Sequence, residues 1–179
     1  MKKFAISIAL LAVLAISVPF SHAQSNSKVP DKALMQKILD AWSTLDPQKA
    51  AEYYSTNPAN VYFDIAPLKY KGWNEYQNGV TEIFKAYSSL KLTVNDDAEV
   101  HGSGKSAWAT ATFHLEGTHK DGSKESGEGR WTAVWEKSGD KWLIVHEHVS
   151  VPAPTPPAAT AQGGGETKQY FLPRMHNWL

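Results

Sequence analysis

The chain has 179 residues, of which 42% are hydrophobic and 20% charged, and its 18 Lys and Arg residues balance its 18 Asp and Glu residues. This balance leaves no excess of positive charge for binding nucleic acid, and seven Trp, seven Tyr and six Phe residues are too many for a disordered chain. The absence of Cys excludes disulfide scaffolds, thiol catalysis and Cys-ligated zinc.

Residues 1–23 have the pattern of a secretory signal peptide. Two Lys residues precede an almost wholly apolar run over 4–18, and the Ser-His-Ala sequence at 21–23 resembles a cleavage site. An uncleaved membrane anchor is the alternative, but an apolar run of about fifteen residues is short for a bilayer. No Cys follows position 23 to carry a lipid. We expect a periplasmic or secreted protein that begins at Gln24 and has no membrane attachment after cleavage.

The remaining chain divides into a lead over 24–30, one domain over 31–152, a linker over 153–168 and a C-terminal tail over 169–179. The linker is rich in Pro, Ala and Gly, which favour extended and coil conformations. The tail carries Tyr170, Phe171 and Trp178. Such a tail has the composition to dock on the domain or on a partner, and a disordered chain end is the alternative.

Three helices are predicted in the first half of the domain. Apolar residues at three- and four-residue spacing favour a helix that begins after Asp31, which is a suitable N-cap. Asp46 and Pro47 predict the start of a second helix that runs to about Tyr54. The spacing of apolar residues over 73–87 predicts a third helix.

Strands dominate the rest of the domain. A short strand over 61–65 has a hairpin partner at 70–72, and four antiparallel strands are predicted over 90–100, 107–117, 125–137 and 141–151. Helices grouped before strands indicate an α+β fold. Since long strands in a small domain need strong curvature, we expect three helices packed on a curved, mainly antiparallel sheet of four to six strands. Such a sheet would curve around the helices into a cone and leave a pocket inside it.

Five segments resemble the SnoaL-like branch of the NTF2-like superfamily, and the resemblance covers about 31–152. They read DPQKAAEYY at 46–54, NVYFD at 60–64, GW at 72–73, RWTAVW at 130–135 and WLIVHEHVS at 142–150. The resemblance implies the cone fold, a pocket inside the cone and frequent dimerisation through the sheet. Members include isomerases, cyclases, hydrolases and ligand-binding domains, so the fold alone does not give the function.

The last strand supplies candidate site residues. Uninterrupted alternation places His146, His148 and Ser150 on one side of it, together with the apolar residues that precede them. Polar groups lining the pocket are one interpretation, and hydrogen-bonded structural histidines are another. A shared metal ion is a third, and it would need His114 or Asp64 as a further ligand. We predict neither a metal nor a cofactor.

Asp64 is the candidate general base, and His146 and His148 are further candidate acid–base residues. A carboxylate among aromatic neighbours has a raised pKa, and the ketosteroid isomerases of the resembling superfamily use one in a similar V-x-D context. A turn-forming Asp is the alternative. Ile38 stands where those isomerases hold the oxyanion with a Tyr, and His114 is the nearest match to their second donor. Steroid isomerisation is therefore not expected.

The remaining candidates are ligand-binding residues: Tyr53, Tyr62, Trp73, Trp108, His114, Arg130 and Ser150. Arg130 would bind an anionic group if its side of the strand faces the cone, or pair with surface carboxylates if it faces outward. We expect a small organic ligand, a homodimer through the sheet and no nucleic-acid partner. An acid–base enzyme and a dimeric assembly module without a ligand are the alternatives.

Overall fold

The computed structural model describes residues 29–153. The predicted signal peptide, the tail and nearly all of the linker lie outside the described residues. Among the helices within 29–153, none has the length and apolar character to cross a membrane.

Within residues 29–153, three α-helices lie on one side of the domain: α1 (Lys32–Ser43), α2 (Pro47–Ala50) and α3 (Gly72–Phe84). The Asp31 carboxylate accepts a hydrogen bond from the Leu34 N–H at 2.9 Å, and the Asp46 carboxylate accepts one from the Gln48 N–H at 3.0 Å. Both predicted N-caps are confirmed, because each satisfies a donor that the first turn leaves free. The second helix is shorter than predicted and ends in a 3₁₀ turn over Ala51–Tyr53.

In the described part of the chain, seven strands form one mixed sheet in the order β2-β1-β7-β6-β5-β3, and β4 also pairs with β5. Only β1 and β7 run parallel to each other. The strands are β1 (Val61–Phe63), β2 (Tyr70–Lys71), β3 (Tyr87–Val94), β4 (Glu99–Ser103), β5 (Ser106–His119), β6 (Lys124–Ser138) and β7 (Lys141–Ser150). The predicted α+β architecture of three helices on a curved sheet is confirmed.

The strand predicted over 90–100 is two strands, β3 and β4. The Asn95 N–H donates to the Thr112 carbonyl at 3.0 Å, and the Asp97 carboxylate accepts the Thr112 N–H at 3.0 Å. The turn between these two bonds interrupts the strand. Long β5 then pairs with β3 along one half and with β4 along the other.

A β-bulge in β7 reverses the alternation of its side chains. Trp135 of β6 pairs with Ile144, but the preceding residue, Val134, pairs with His146. Val145 is therefore an extra residue on β7, and such an insertion shifts every later side chain to the other face of the sheet. Ile144 before the bulge and Glu147 after it both point inward and are 0% and 1% exposed.

The core lies between the helices and the inner face of the sheet. Ala107, Ala109 and Ala133 line one end of this face and are at most 2% exposed, so the helices approach the sheet closely there. Gly127 and Gly129 occupy inward positions of β6 toward the other end, where the missing side chains leave space. A methyl group at Gly129 would meet the Phe113 ring at 2.2 Å, while one at Gly127 would meet no atom within 4 Å.

This difference predicts opposite outcomes for two alanine substitutions on the same strand. Gly129→Ala forces the Phe113 ring out of its place and lowers the free energy of unfolding by about 1–3 kcal/mol. Gly127→Ala meets no clash and raises that free energy by up to about 1 kcal/mol, because it removes a flexible residue from a strand. Urea denaturation of both variants measures the two changes, and equal effects would contradict the packing described here.

Candidate functional site

A pocket of about 510 Å³ lies between the inner face of the sheet and the helices. Volumes of this size suit small organic ligands. The walls are mostly apolar and include six aromatic side chains: Trp42, Tyr76, Phe84, Tyr87, Phe113 and Trp131. The residues 64–66, after β1, and Val151 and Pro152, after β7, complete the lining.

Glu147 is the buried polar group of this pocket. Its Oε2 accepts hydrogen bonds from the Tyr54 hydroxyl and from the Trp131 Nε1–H, both at 2.9 Å. The Trp42 Nε1–H donates to the Tyr54 hydroxyl at 2.9 Å and so extends the chain of bonds. The other carboxyl oxygen, Oε1, has no hydrogen-bond partner although Glu147 is only 1% exposed. An unpaired buried acceptor costs about 1–3 kcal/mol, and a bound donor would remove that cost.

Burial raises the pKa of Glu147 to about 7. The nearby Tyr76 and Tyr54 hydroxyls and the Trp131 N–H favour the ionised carboxylate and offset part of this increase, whereas the charge of Asp64 adds to it. A carboxyl group with such a pKa exchanges its proton near neutral pH, whereas an exposed Glu stays ionised there.

Asp64 also lines the pocket, at the end of β1. It is half-buried, and its Oδ1 accepts the Ile65 N–H at 2.7 Å. Burial raises its pKa, and the hydrogen bond from Ile65 opposes the increase. The charge of Asp64 raises the pKa of Glu147 and of Tyr76. The structure thus brings a predicted site residue, Asp64, together with one that sequence reasoning missed.

The predicted placement of His146 and His148 inside the cone is wrong. Both follow the bulge at Val145 and lie on the outer face, where Val61 and Phe63 of β1 are their register partners. The His146 Nδ1 lies 2.7 Å from the Val61 carbonyl oxygen, and His148 is exposed. Neither imidazole lines the pocket. Their predicted acid–base pairing with Asp64 therefore does not form.

Four other predicted ligand-binding residues also lie on the outer face. Ser150 is the register partner of exposed Arg130. Trp108 is 48% exposed and stacks on His101 at 4.1 Å. The His114 Nδ1 lies 2.7 Å from Glu128 Oε1. Arg130, Trp108 and His114 point outward because their inward neighbours on β5 and β6 are the ones that pack on the helices.

The three remaining aromatic candidates pack around the site but do not line the pocket. Tyr62 is fully buried and stacks on Tyr76 with ring centroids 5.0 Å apart. Trp73 stacks on Tyr54 at 4.7 Å. Tyr53 is half-buried at the edge of the core. Its neighbour Tyr54, which follows the 3₁₀ turn, is the tyrosine that donates to Glu147.

No group of three or more His, Cys, Asp or Glu side chains within 29–153 is arranged to hold a metal ion. The metal interpretation of His146 and His148 needed His114 or Asp64 nearby. His114 bonds to Glu128, and Asp64 lines the pocket on the opposite face of the sheet.

The fold and the pocket define an NTF2-like protein, and comparison with known families agrees. The model of the SnoaL-like domain matches residues 32–154, which is more than half of the chain. The chain therefore belongs to the SnoaL-like family. No curated protein sequence matches it.

Solved structures with similar folds come from several organisms. An NTF2-like superfamily protein from Salmonella enterica is 23% identical with a TM-score of 0.60, over 72% of this chain and 95% of that one. A proposed NTF2-like dehydratase from Streptomyces avermitilis is 15% identical with a TM-score of 0.58, over 69% and 99%. The CaMKII association domain from C. elegans is 19% identical with a TM-score of 0.54, over 66% and 91%. At these identities the likeness shows the fold alone.

The raised pKa of Glu147 predicts that stability falls as pH rises. The folded protein holds the Glu147 proton up to about pH 7, whereas the unfolded chain releases it near the ordinary pKa of 4.5. The free energy of unfolding therefore loses on the order of 3 kcal/mol between these two pH values and is level above them. Urea denaturation of the wild type and of Glu147→Gln across pH 4–9 measures this loss.

Glu147→Gln keeps the size of the side chain and removes its titration, so the variant lacks this component of the pH dependence. Glu136→Gln is the matched control, because Glu136 is exposed on β6 and its loss leaves the buried carboxyl in place. A pH profile of Glu147→Gln that parallels the wild type would contradict the assignment.

Proposed function

We propose that the protein binds a small, mostly apolar organic molecule in the pocket of its cone. The observation that carries the proposal is the unpartnered Oε1 of Glu147 inside an aromatic cavity of about 510 Å³. An apolar cavity with few polar groups is the usual form of a small-molecule site. The aromatic walls supply contact area, and Glu147 selects a ligand that presents a hydrogen-bond donor or a positive charge.

A fluorescent probe and a pocket-filling variant test this function. N-Phenyl-1-naphthylamine is neutral, aromatic and carries one N–H donor. We expect it to bind the wild type with enhanced fluorescence at micromolar concentration. Gly127→Leu directs a side chain into open pocket space, where nothing lies within 4 Å of the new Cβ, and so abolishes binding without unfolding the domain.

Ser126→Leu is the matched control, since it adds a leucine to the neighbouring position of β6, which is exposed and faces outward. This variant keeps wild-type binding. Circular dichroism and thermal melting confirm that both variants are folded. Equal binding by Gly127→Leu and the wild type would show that the probe lies elsewhere and would refute the pocket.

Acid–base catalysis in the same pocket is a second candidate function. The observation that favours it is the presence of two carboxyl groups, Asp64 and Glu147, in one aromatic cavity, with the pKa of Glu147 raised to about 7. A group with this pKa both accepts and donates protons at neutral pH. In this proposal Glu147 takes the catalytic position that sequence reasoning gave to the histidines.

The predicted homodimer through the sheet stays a prediction. On the outer face of the sheet, the side chains of Trp108 and Phe63 are 48% and 37% exposed. Large aromatic side chains are common at protein interfaces. The likeness in fold to an association domain is compatible with it. Sedimentation velocity of the purified protein tests the prediction, and a monomer at high micromolar concentration would contradict it.

A further inference from the structure

The pocket is acidic as well as aromatic. Four acidic residues, Asp64, Glu125, Glu128 and Glu147, are among its lining residues, and among the described residues no Lys, Arg or His lines it. Arg130, the residue expected to neutralise an anionic ligand, lies on the outer face. An anionic ligand would therefore enter a cavity that already holds negative charge, without a cation to pair with.

Glu125 adds a carboxylate to the pocket lining, next to Tyr87. Its Oε2 accepts the Tyr87 hydroxyl at 2.7 Å and lies 3.2 Å from the His119 Nε2. The rings of Tyr87 and His119 stack with centroids 4.4 Å apart. These contacts fix the orientation of the Glu125 side chain, so its charge is held at the pocket wall.

Aromatic walls around buried carboxylates are suited to positive charge. A cation is attracted to the face of a Trp, Tyr or Phe ring, and the attraction grows when the pair is removed from water. Trp42, Tyr76 and Trp131 all line the cavity beside Glu147. Glu147 is almost fully buried, and its free Oε1 lacks a partner that a cationic group or its N–H would supply.

We propose that the ligand of this pocket is an organic cation, a protonated or quaternary amine with an apolar body. Its charged nitrogen lies among the aromatic faces beside Glu147 and Asp64, and its apolar part extends toward Phe113 and Tyr87. This inference rests on the proposed function, since it names the chemical class of the molecule that the pocket binds. It excludes carboxylates and phosphates as ligands.

Three probes that share a phenyl ring test the charge preference. Phenyltrimethylammonium is the cation, tert-butylbenzene is its neutral isostere, and benzoate is the anion. Isothermal titration of the full chain at pH 8 keeps Glu147 ionised, because this pH lies above its pKa of about 7. We expect the cation to bind at least tenfold more tightly than the neutral isostere, and benzoate to give no measurable heat of binding.

Variants that each remove one carboxylate show which groups cause the preference for the cation. Glu147→Gln and Asp64→Asn each weaken binding of the cation about threefold to tenfold and leave the neutral isostere unchanged. Glu136→Gln removes one exposed carboxylate from the outer side of β6 and has no effect on either ligand. If Glu136→Gln weakened binding of the cation as much as Glu147→Gln, the preference would arise from the net charge of the protein. That result would overturn the proposed cation site in the pocket.

The experiments distinguish a failure of the proposed ligand site from a failure of its proposed preference for cations. If N-phenyl-1-naphthylamine binds and Gly127→Leu blocks it, the pocket is a ligand site. Equal affinity for the cation and its neutral isostere, or no binding of the cation, then overturns the charge preference alone. If neither the naphthylamine nor any of the three probes binds, both proposals are overturned.

Discussion

One inserted residue in the last strand decides what lies inside this protein. Val145 has no partner on β6, and the strand changes face at that point. Without the bulge, the alternation that buries Ile144 would also bury His146 and His148 and would expose Glu147. Because of the bulge, the Glu147 carboxyl group lines the cavity and both imidazoles lie on the outer face of the sheet. The chemical character of the pocket therefore follows from one local irregularity in strand pairing.

A group of aromatic residues beside Glu147, the aromatic cluster, stabilises this arrangement. Its members are Trp42, Tyr54, Trp73 and Trp131. Tyr54 and Trp131 donate to Glu147, and Trp42 donates to Tyr54. Stacking of Trp73 on Tyr54 helps to fix the donor in place. In a low-dielectric interior such a chain of hydrogen bonds is stronger than the same bonds in water. The network nevertheless satisfies only one of the two Glu147 oxygens and leaves the other without a hydrogen-bond partner.

Local signals in the sequence were sufficient to predict the helices and the sheet. They were not sufficient to predict which side chains line the pocket. Asp31 and Asp46 act through neighbouring backbone donors, so their capping could be predicted without knowing the tertiary structure. The face of β7 depends on its register with β6, and nothing local in the sequence around Val145 reveals the bulge. Tyr54 was missed because the 3₁₀ turn, rather than helical spacing, sets its direction.

Carbon-13 NMR of the Glu147 carboxyl group tests the central claim most directly. Protein labelled at the δ-carbon of glutamate is titrated from pH 4 to pH 9, and the Glu147 signal is identified by its absence in Glu147→Gln. A carboxyl group enclosed by the aromatic cluster titrates with a midpoint near pH 7. A midpoint at or below the ordinary value of 4.5 would mean that the side chain is solvated, and it would contradict both the bulge and the pocket built on it.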